Sequence, residues 1–329
     1  MPNWIEIEHI DSLPVRGATL ADIDMGRVER HIQAGRSQQS ESPLDYLQRQ
    51  IGIVEVDGGQ LAPTLGGLLC FGMEPQRHLP HTGVSLTRYT GQTANSQQVV
   101  DIRDLRGPLF DLIDQADAYL WAQSNHGFRL DSGPRRTPFD QYPRTAIREL
   151  IVNALAHRDY RVVGSRVKIE MFKNEIEWCS PGGLPPGVTV ENILKSQYTR
   201  NPVIVGFLFD AGYIEQRGMG LDTVAHVLRE EQLPFPQMED TGASFLIRIQ
   251  GHGAVDKHIA LGLDTPLAQI YTLIESAGPV GISAREIADR LEWSIRTVNY
   301  RMQELLGRKI VIREGSTSRT RYHVHEQET

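Results

Sequence analysis

The chain has no run of 18 apolar residues, and its first ten, MPNWIEIEHI, carry neither a basic start nor an apolar stretch. A helix needs about 20 apolar residues to cross a bilayer core, so neither a membrane span nor a signal peptide is expected. Cysteine is scarce: two in 329 residues, Cys70 in GLLCFG and Cys179 in IEWCSPG. Both surroundings read as strands far apart in sequence, which points to buried thiols in a reducing compartment rather than a disulfide or a metal site. There is no Gly-x-x-x-x-Gly-Lys-Ser/Thr segment, so no phosphate-loop motor of the helicase kind is expected. Low-complexity tracts are also absent, and 40% hydrophobic with 23% charged residues is an ordinary globular balance. A cytoplasmic chain of two or three domains is the expectation at this length.

A strong overall charge is missing too. The net charge of −7 argues against coating by nucleic acid along the whole chain. It is unevenly spread. Between Ser283 and His325 nine basic residues face five acidic ones, a balance of +4 that leaves −11 for the remainder. A small DNA-binding module on an acidic body has this asymmetry.

Three blocks emerge from the pattern. Residues 1–78 open irregularly, then carry a short helix in SPLDYLQRQIGIV with Ser42 as N-cap, a turn at Asp57-Gly58-Gly59, and the apolar LGGLLCFG. Residues 79–250 alternate strands and helices, with TGVSLTRYTG a strand and GPLFDLIDQADAYLWAQSN a long helix. The proline-rich DSGPRRTPFDQYP reads as a connector, and SRVKIEMFKNEIEWCS as a hairpin turning at Lys173-Asn174. NPVIVGFLFDAG and LDTVAHVLREE read as helices and ASFLIRIQG as a closing strand, so the block is an α+β sandwich, a mixed sheet with helices on one face. A linker over 251–264 leads to residues 265–329. There TPLAQIYTLIESAG, SAREIADRLEW and SIRTVNYRMQELLGR are helices, the second with a Ser283–Glu286 capping box and the third capped by Ser294. A hairpin around Glu314-Gly315-Ser316 follows, which completes a winged helix-turn-helix order.

The segment RELIVNALAHRDY (148–160) carries the chemistry. Ile147, Leu150, Ile151, Ala154 and Leu155 recur at helical spacing and should face the core. Glu149, Asn153 and His157 are four apart on a flanking stripe, so their side chains line one side of the same helix. Two glycine turns follow, Ser180-Pro181-Gly182-Gly183 after a strand and Gly218-Met219-Gly220-Leu221 at a helix start. Glycines at such junctions let backbone amides approach phosphates.

This order resembles the Bergerat-fold (GHKL-type) ATPases, the superfamily of gyrase, histidine kinases and MutL. RELIVNALAHRDY, IEWCSPGGLPPGVT, RNPVI and GYIEQRGMGL look, more specifically, like the ATP-binding domain of bacterial transcriptional regulators and RecG-related ATP-binding proteins. Those often join an N-terminal Schlafen AlbA-type domain, expected here to be missing or cut away, to a C-terminal winged helix. The resemblance spans roughly residues 42–250. It implies a Mg²⁺ held by Asn153 against the phosphates of ATP, and a water oriented by Glu149 as general base. It also implies Gly182 and Gly183 near the base, Gly218 and Gly220 at the phosphates, and a lid that includes Tyr198, Thr199 and Arg200. Two departures stand out: Ser180 occupies the place of the Asp that reads the adenine amino group, and Leu184 that of a second glycine. His157, Arg158 and Asp159 admit two readings, a phosphate contact or an ordinary turn with an ion pair.

In the last helix Ile295, Val298, Met302, Leu305 and Leu306 should be core, which leaves Arg296, Thr297, Asn299, Tyr300 and Arg301 outward. Arg pairs with guanine and Asn with adenine in the major groove, while Thr and Tyr reach phosphate. Arg313, Arg319 and Arg321 on the wing suit backbone or minor-groove contact. His323 and His325 share one side of a strand and, without further ligands, read as wing surface. The expected partners are a nucleotide, double-stranded DNA and a second copy of the chain, with no membrane. The expected function is a nucleotide-responsive DNA-binding regulator, the alternatives being a DNA-stimulated ATPase in repair or defence and a scaffold that binds no nucleotide.

Overall fold

Side-chain caps set where the first helices begin. The computed structural model describes residues 9–35, 41–130, 136–196, 198–214, 220–252, 265–277, 281–291, 293–315 and 320–325. The Asp24 carboxylate accepts the Arg27 amide at 2.9 Å and opens α1 (Met25–Ala34), a helix within the segment expected to be irregular. Ser42 accepts the Asp45 amide and opens α2 (Pro43–Arg49), with Pro43 in the first turn. Each cap satisfies an N–H that has no partner within the first turn. The predicted helix ends early because Ile53 and Val54 go into β1 (Ile53–Val56), which pairs with β2 (Gln60–Pro63). Gly58 and Gly59 turn this hairpin at φ of 83° and 75°, a region that costs glycine little.

α3 (Leu65–Phe71) follows, capped by Thr64 and buried at all seven positions. Cys70 therefore lies on a helix, not on the strand expected. A short run buried all round has no periodicity to separate the two. Gly67 lets α3 cross the Gly52 backbone, since a Cβ there would stand 1.8 Å from the Gly52 carbonyl oxygen. α4 (Pro75–His78) ends the block.

Next come β3 (Val84–Tyr89), β4 (Val99–Leu105), α5 (Leu109–Gln123), β5 (His126–Leu130), β6 (Arg136–Asp140) and α6 (Arg144–Ala156). β7 (Val167–Met171), β8 (Glu175–Pro181), α7 (Pro202–Asp210), α8 (Gly220–Glu230), β9 (Gln237–Asp240) and β10 (Ser244–Gln250) complete this part. Six strands form one sheet in the order β4-β3-β7-β8-β10-β9, parallel only between β3 and β7. Val84, Leu86, Ile169, Trp178, Ile247 and Ile249 are buried on one face. Ser85, Lys168, Glu170, Glu177 and Arg248 alternate onto the other, where Arg248 pairs with Glu175 and Glu177. A mixed sheet whose apolar face packs against helices is the α+β sandwich expected; β4 and β9 add to the strands expected, β4 exposing Val100 and Ile102 at the sheet edge. β6 also replaces part of the predicted connector.

Residues 9–126 and 140–252 belong to one compact unit. A single apolar core runs from Ala18 through Phe71 to Ile249, so the N-terminal block read as separate shares its core with the sheet. Asp11 makes the join covalently distant and physically close: its buried carboxylate accepts the Val203 and Ile204 amides at 2.7 and 3.0 Å, at the open start of α7. Burial raises the Asp11 pKa while those two amides hold it down.

The second unit comprises 127–139 and 253–329. Within it α9 (Thr265–Ser276), α10 (Ala284–Leu291) and α11 (Ile295–Gly307) precede the antiparallel pair β11 (Val311–Glu314) and β12 (Arg321–Val324). The capping box is present: the Ser283 amide reaches Glu286 at 2.8 Å and the Glu286 amide reaches Ser283 at 3.2 Å. Ile270, Ile287, Val298, Met302 and Leu305 form a core of their own. Ile295 does not join it. At 47% exposed, it lies at the first turn of α11 before the helix reaches the core. Among the described residues no helix is long and apolar enough to cross a membrane.

Candidate functional site

α6 is amphipathic in the way its sequence requires. Ile147, Leu150, Ile151, Ala154 and Leu155 are buried, and the flanking file of Glu149, Asn153 and His157 lines a cavity of about 140 Å³. The cavity lies between α6, the end of β8, the segment 182–200 and the start of α8, with Trp178 and Ile247 among its apolar lining. One buried end of the Asn153 carboxamide, assigned as Nδ2, has no hydrogen-bond partner among the described residues. A half-turn of the amide would present oxygen there instead.

Gly220 explains how α8 meets this pair. A Cβ on it would lie 2.8 Å from both Asn153 Nδ2 and Glu149 Oε2, so any larger residue here would displace the ends of both side chains. Gly218, its expected companion, lies outside the described residues. Asp222, in the first turn of α8, lines the same cavity and was not among the residues singled out from sequence. The only signal for it was its position two residues past Gly-Met-Gly.

Gly182 and Gly183 also line the cavity, but packing is what demands glycine at both. Gly182 sits at φ 97°, and a Cβ would stand 2.4 Å from Asp159 Cβ. Its amide donates to the Ala243 carbonyl at 2.8 Å. A Cβ on Gly183 would meet the Gly242 oxygen at 2.8 Å. Asp240, unremarked in the sequence, accepts the Leu184 and Gly242 amides at 3.2 and 2.9 Å and fixes the turn. Ser180 Oγ donates to the Ala154 carbonyl at 2.7 Å, which ties the end of β8 to α6.

The expected lid residues Tyr198, Thr199 and Arg200 all line the cavity. Arg200 donates to the Gly183 carbonyl at 2.6 Å and to the His157 carbonyl at 3.2 Å, so its guanidinium bridges the glycine turn and the end of α6. Burial, with Arg200 adding to it, lowers the His157 pKa to about 4, and the imidazole is neutral at pH 7. Arg158 does not reach the cavity. Fully buried, it donates to the carbonyls of His81, Asp159, Val162 and Ser165. Asp159 is a turn residue, accepting the Arg161 amide at 3.0 Å and pairing with its guanidinium.

His31 is a second neutral histidine, lowered to about 4 by burial among Tyr46, Phe71, Phe110 and Phe207. Tyr46 donates to Asp210 at 2.8 Å, which leaves His31 Nε2–H to donate to the Tyr46 oxygen at 2.9 Å. Both imidazoles have depressed pKa values in the folded chain, so the unfolded chain binds more protons between pH 6.5 and 4. Thermal stability is expected to fall as pH drops through that window, and His31→Phe to flatten the loss, as read by melting curves at pH 7, 6, 5 and 4.

In the second unit Arg296, Thr297, Asn299 and Tyr300 are exposed on α11, Tyr300 at 74%. Thr297 is committed to the helix start, its amide and hydroxyl both bonded to Ser294. Arg301 is half-buried and 3.9 Å from Glu304. Arg313 is exposed, whereas Arg321 donates to the Gly281 carbonyl at 2.8 Å and lies 3.4 Å from Glu286. Arg321 is thus less available than its place on the wing implied, and Arg319 lies outside the described residues. His323 packs on Gly281 and stands 3.2 Å from Glu314.

The mixed sheet, the α6–α8 pair and the cavity between them define the class of ATPase-like α/β sandwiches. Residues 164–249 match the family described as "Putative ATP-dependent DNA helicase recG C-terminal". Among solved structures the chain is similar to the DIP2311 protein from Corynebacterium diphtheriae, with a TM-score of 0.60 at 16% identity. That likeness, one of fold alone, covers 96% of this chain, which spans 64% of the DIP2311 chain. No curated protein matches.

Proposed function

We propose that the chain is a nucleotide-responsive DNA-binding regulator, whose first unit binds Mg-ATP and whose second unit binds double-stranded DNA as a winged helix. The observation that carries the nucleotide half is the convergence of Glu149, Asn153 and Gly220 on one cavity, with a buried end of Asn153 left unpartnered. Carboxamide and carboxylate oxygens are the hard donors Mg²⁺ takes. When bound, the metal neutralises phosphate charge. Asn153 would hold it, Glu149 would orient a water beside the terminal phosphate, and Gly220 would bring the dipole-positive start of α8 to the anion. Ser180, its hydrogen committed to Ala154, keeps lone pairs that can accept from an exocyclic amino group such as adenine's.

The DNA half rests on Arg296, Asn299 and Tyr300, exposed together on α11, and on Arg313. A homodimer would offer two such helices to paired half-sites. The second reading, an ATPase stimulated by DNA, is favoured by Glu149 lining the cavity with Asn153; it requires turnover that Glu149→Gln removes. Calorimetry tests the nucleotide half, with Mg-ATP binding expected and its absence ruling the proposal out. Fluorescence anisotropy tests the other. Arg296→Ala with Asn299→Ala is expected to weaken DNA binding about 10-fold or more, with the wild-type affinity falling as salt rises. Equal affinities for the variant and wild type would exclude α11 as the reading helix.

A further inference from the structure

The six-stranded sheet ends in two strands of different character. β9 has four residues, two of them acidic, and follows Pro234 and Pro236, features that discourage pairing at an edge. β4 has seven residues, and among the described strands it pairs with β3 alone, so no strand lies along its outer side. The pairing with β3 is regular from Asp101 to Leu105 and slips at Val100. Ile102 opposes Thr87 in that ladder, yet it is 64% exposed, and Val100 is 45% exposed. Charges of opposite sign flank Ile102, with Arg103 exposed, Asp101 partly so, and 2.9 Å between them. Asp101 also accepts the Tyr119 hydroxyl at 3.0 Å, which holds its carboxylate in place.

We propose that β4 is a self-pairing edge, through which two copies of the chain join their sheets antiparallel about a two-fold axis at Ile102. With Ile102 opposite Ile102 of the second copy, two-fold symmetry sets Asp101 opposite Arg103 of the second copy, and Arg103 opposite its Asp101. Opposite charges in directly facing positions stabilise a strand pair, and like charges destabilise it. A parallel pair in register would set Asp101 on Asp101 and Arg103 on Arg103. An antiparallel pair centred on either charged residue would set that charge on itself. Charged side chains alone would blunt an edge, but two opposite charges symmetric about an exposed aliphatic admit one register and reject the others. Burying Ile102 against its copy removes apolar surface from water, and the main-chain ladder adds directional bonds. A ladder this short is a small interface, at the low end of specific ones, so dimers are expected at micromolar rather than nanomolar concentration. The pairing gives the homodimer of the reading above an interface, and it requires neither nucleotide nor DNA.

The experiment is sedimentation velocity of the whole chain, over a concentration series through the micromolar range, for wild type, Ile102→Lys, Asp101→Arg and Arg103→Asp. Wild type is expected to pass from monomer to dimer. Ile102→Lys sets like charges at the axis and should weaken the dimer about 10-fold or more. Asp101→Arg alone would face four arginines with one another, and Arg103→Asp alone four aspartates, so each should stay monomeric. Mixed together, the two variants meet opposite charges at both positions and should form a dimer with one copy of each. Loss of the fold cannot produce that rescue, which separates pairing from stability. A wild type that stays monomeric overturns the proposal and leaves the edge to an extended segment of another protein. A dimer formed by either charge variant alone, or no dimer from the mixture, overturns it as well and places the contact elsewhere. Mg-ATP calorimetry on the same samples is expected to give equal affinities for all four chains. Failure of the wild type to bind ATP would sink the nucleotide reading and leave the pairing of β4 standing.

Discussion

Asn153→Ala is expected to abolish Mg-dependent ATP binding while leaving the fold as stable as before. The affinity loss should be on the order of 100-fold or more, about 2.7 kcal/mol, because the variant removes the carboxamide proposed to hold the metal. The stability expectation has a separate origin. One buried end of the Asn153 amide has no partner among the described residues, so truncation breaks no hydrogen bond seen there and removes an unpaired polar group. Alanine is also the better helix former, and position 153 is interior to α6. Paired melting and calorimetry therefore separate a ligand-binding residue from a structural one. Lost binding with an unchanged or raised melting temperature supports the site. A variant that binds Mg-ATP like wild type would mean that the stripe on α6 is not the metal end of the cavity. Asn153→Asp sharpens the test: it keeps an oxygen donor for the metal but adds a charge facing the phosphates, so it should bind Mn²⁺ and still bind ATP poorly.

Arg158→Ala is expected to be the most destabilising of the substitutions considered, costing about 4 kcal/mol. Four backbone carbonyls, of His81, Asp159, Val162 and Ser165, converge on one guanidinium that is fully buried. Hydrogen bonds to a charged donor are worth about 1.5–3 kcal/mol each, and removing the donor leaves buried acceptors unpaired. The guanidinium also lies 4.9 Å from the Tyr160 ring centroid. Burial lowers the Arg158 pKa from its ordinary value. For a unit of this size the loss corresponds to about 10 °C in melting temperature. Arg158→Lys should recover little of it, because an ammonium cannot span acceptors that a planar fork reaches at once. A fall under about 1 kcal/mol would show that the 158–165 loop holds itself. Nucleotide binding should weaken only secondarily, since Asp159 backs onto Gly182 at the cavity wall.

These two residues, five apart on one segment, show what could be read in advance and what could not. Asn153 was legible because its meaning lies in a local period: the apolar stripe Ile147, Leu150, Ile151, Ala154, Leu155 dictates which side of α6 is buried, and a file four apart beside it has nowhere else to point. Arg158 was not. Its acceptors include His81, 77 residues away, and nothing in the sequence distinguishes an arginine that clamps carbonyls from one that pairs with a carboxylate or a phosphate. Gly182 and Gly183 line the cavity, and their need for glycine comes from Asp159 and Gly242 across the turn. Cys70 was misplaced because a segment buried on every side loses the periodicity that tells helix from strand. β4 and β9 lie at the two edges of the sheet, where β9 has one apolar residue and Val100 and Ile102 of β4 stay exposed, so burial marks neither strand.

By itself, then, the sequence determined the local facts: helix starts at Ser42, Ser283 and Ser294 through their caps, the hairpin turn at Asp57-Gly58-Gly59, and the polar file on α6. All of these depend on neighbours within about one helical turn, where spacing and side-chain chemistry suffice. Tertiary structure alone decided the rest. It placed the Asp11 carboxylate, 192 residues upstream of Val203, at the start of α7, and set Asp222 on the same cavity as Glu149 and Asn153. It also turned Arg200 from a lid residue into a tether between the glycine turn and the end of α6. Burial and charge proximity act through space, and they are fixed only when distant segments pack against one another.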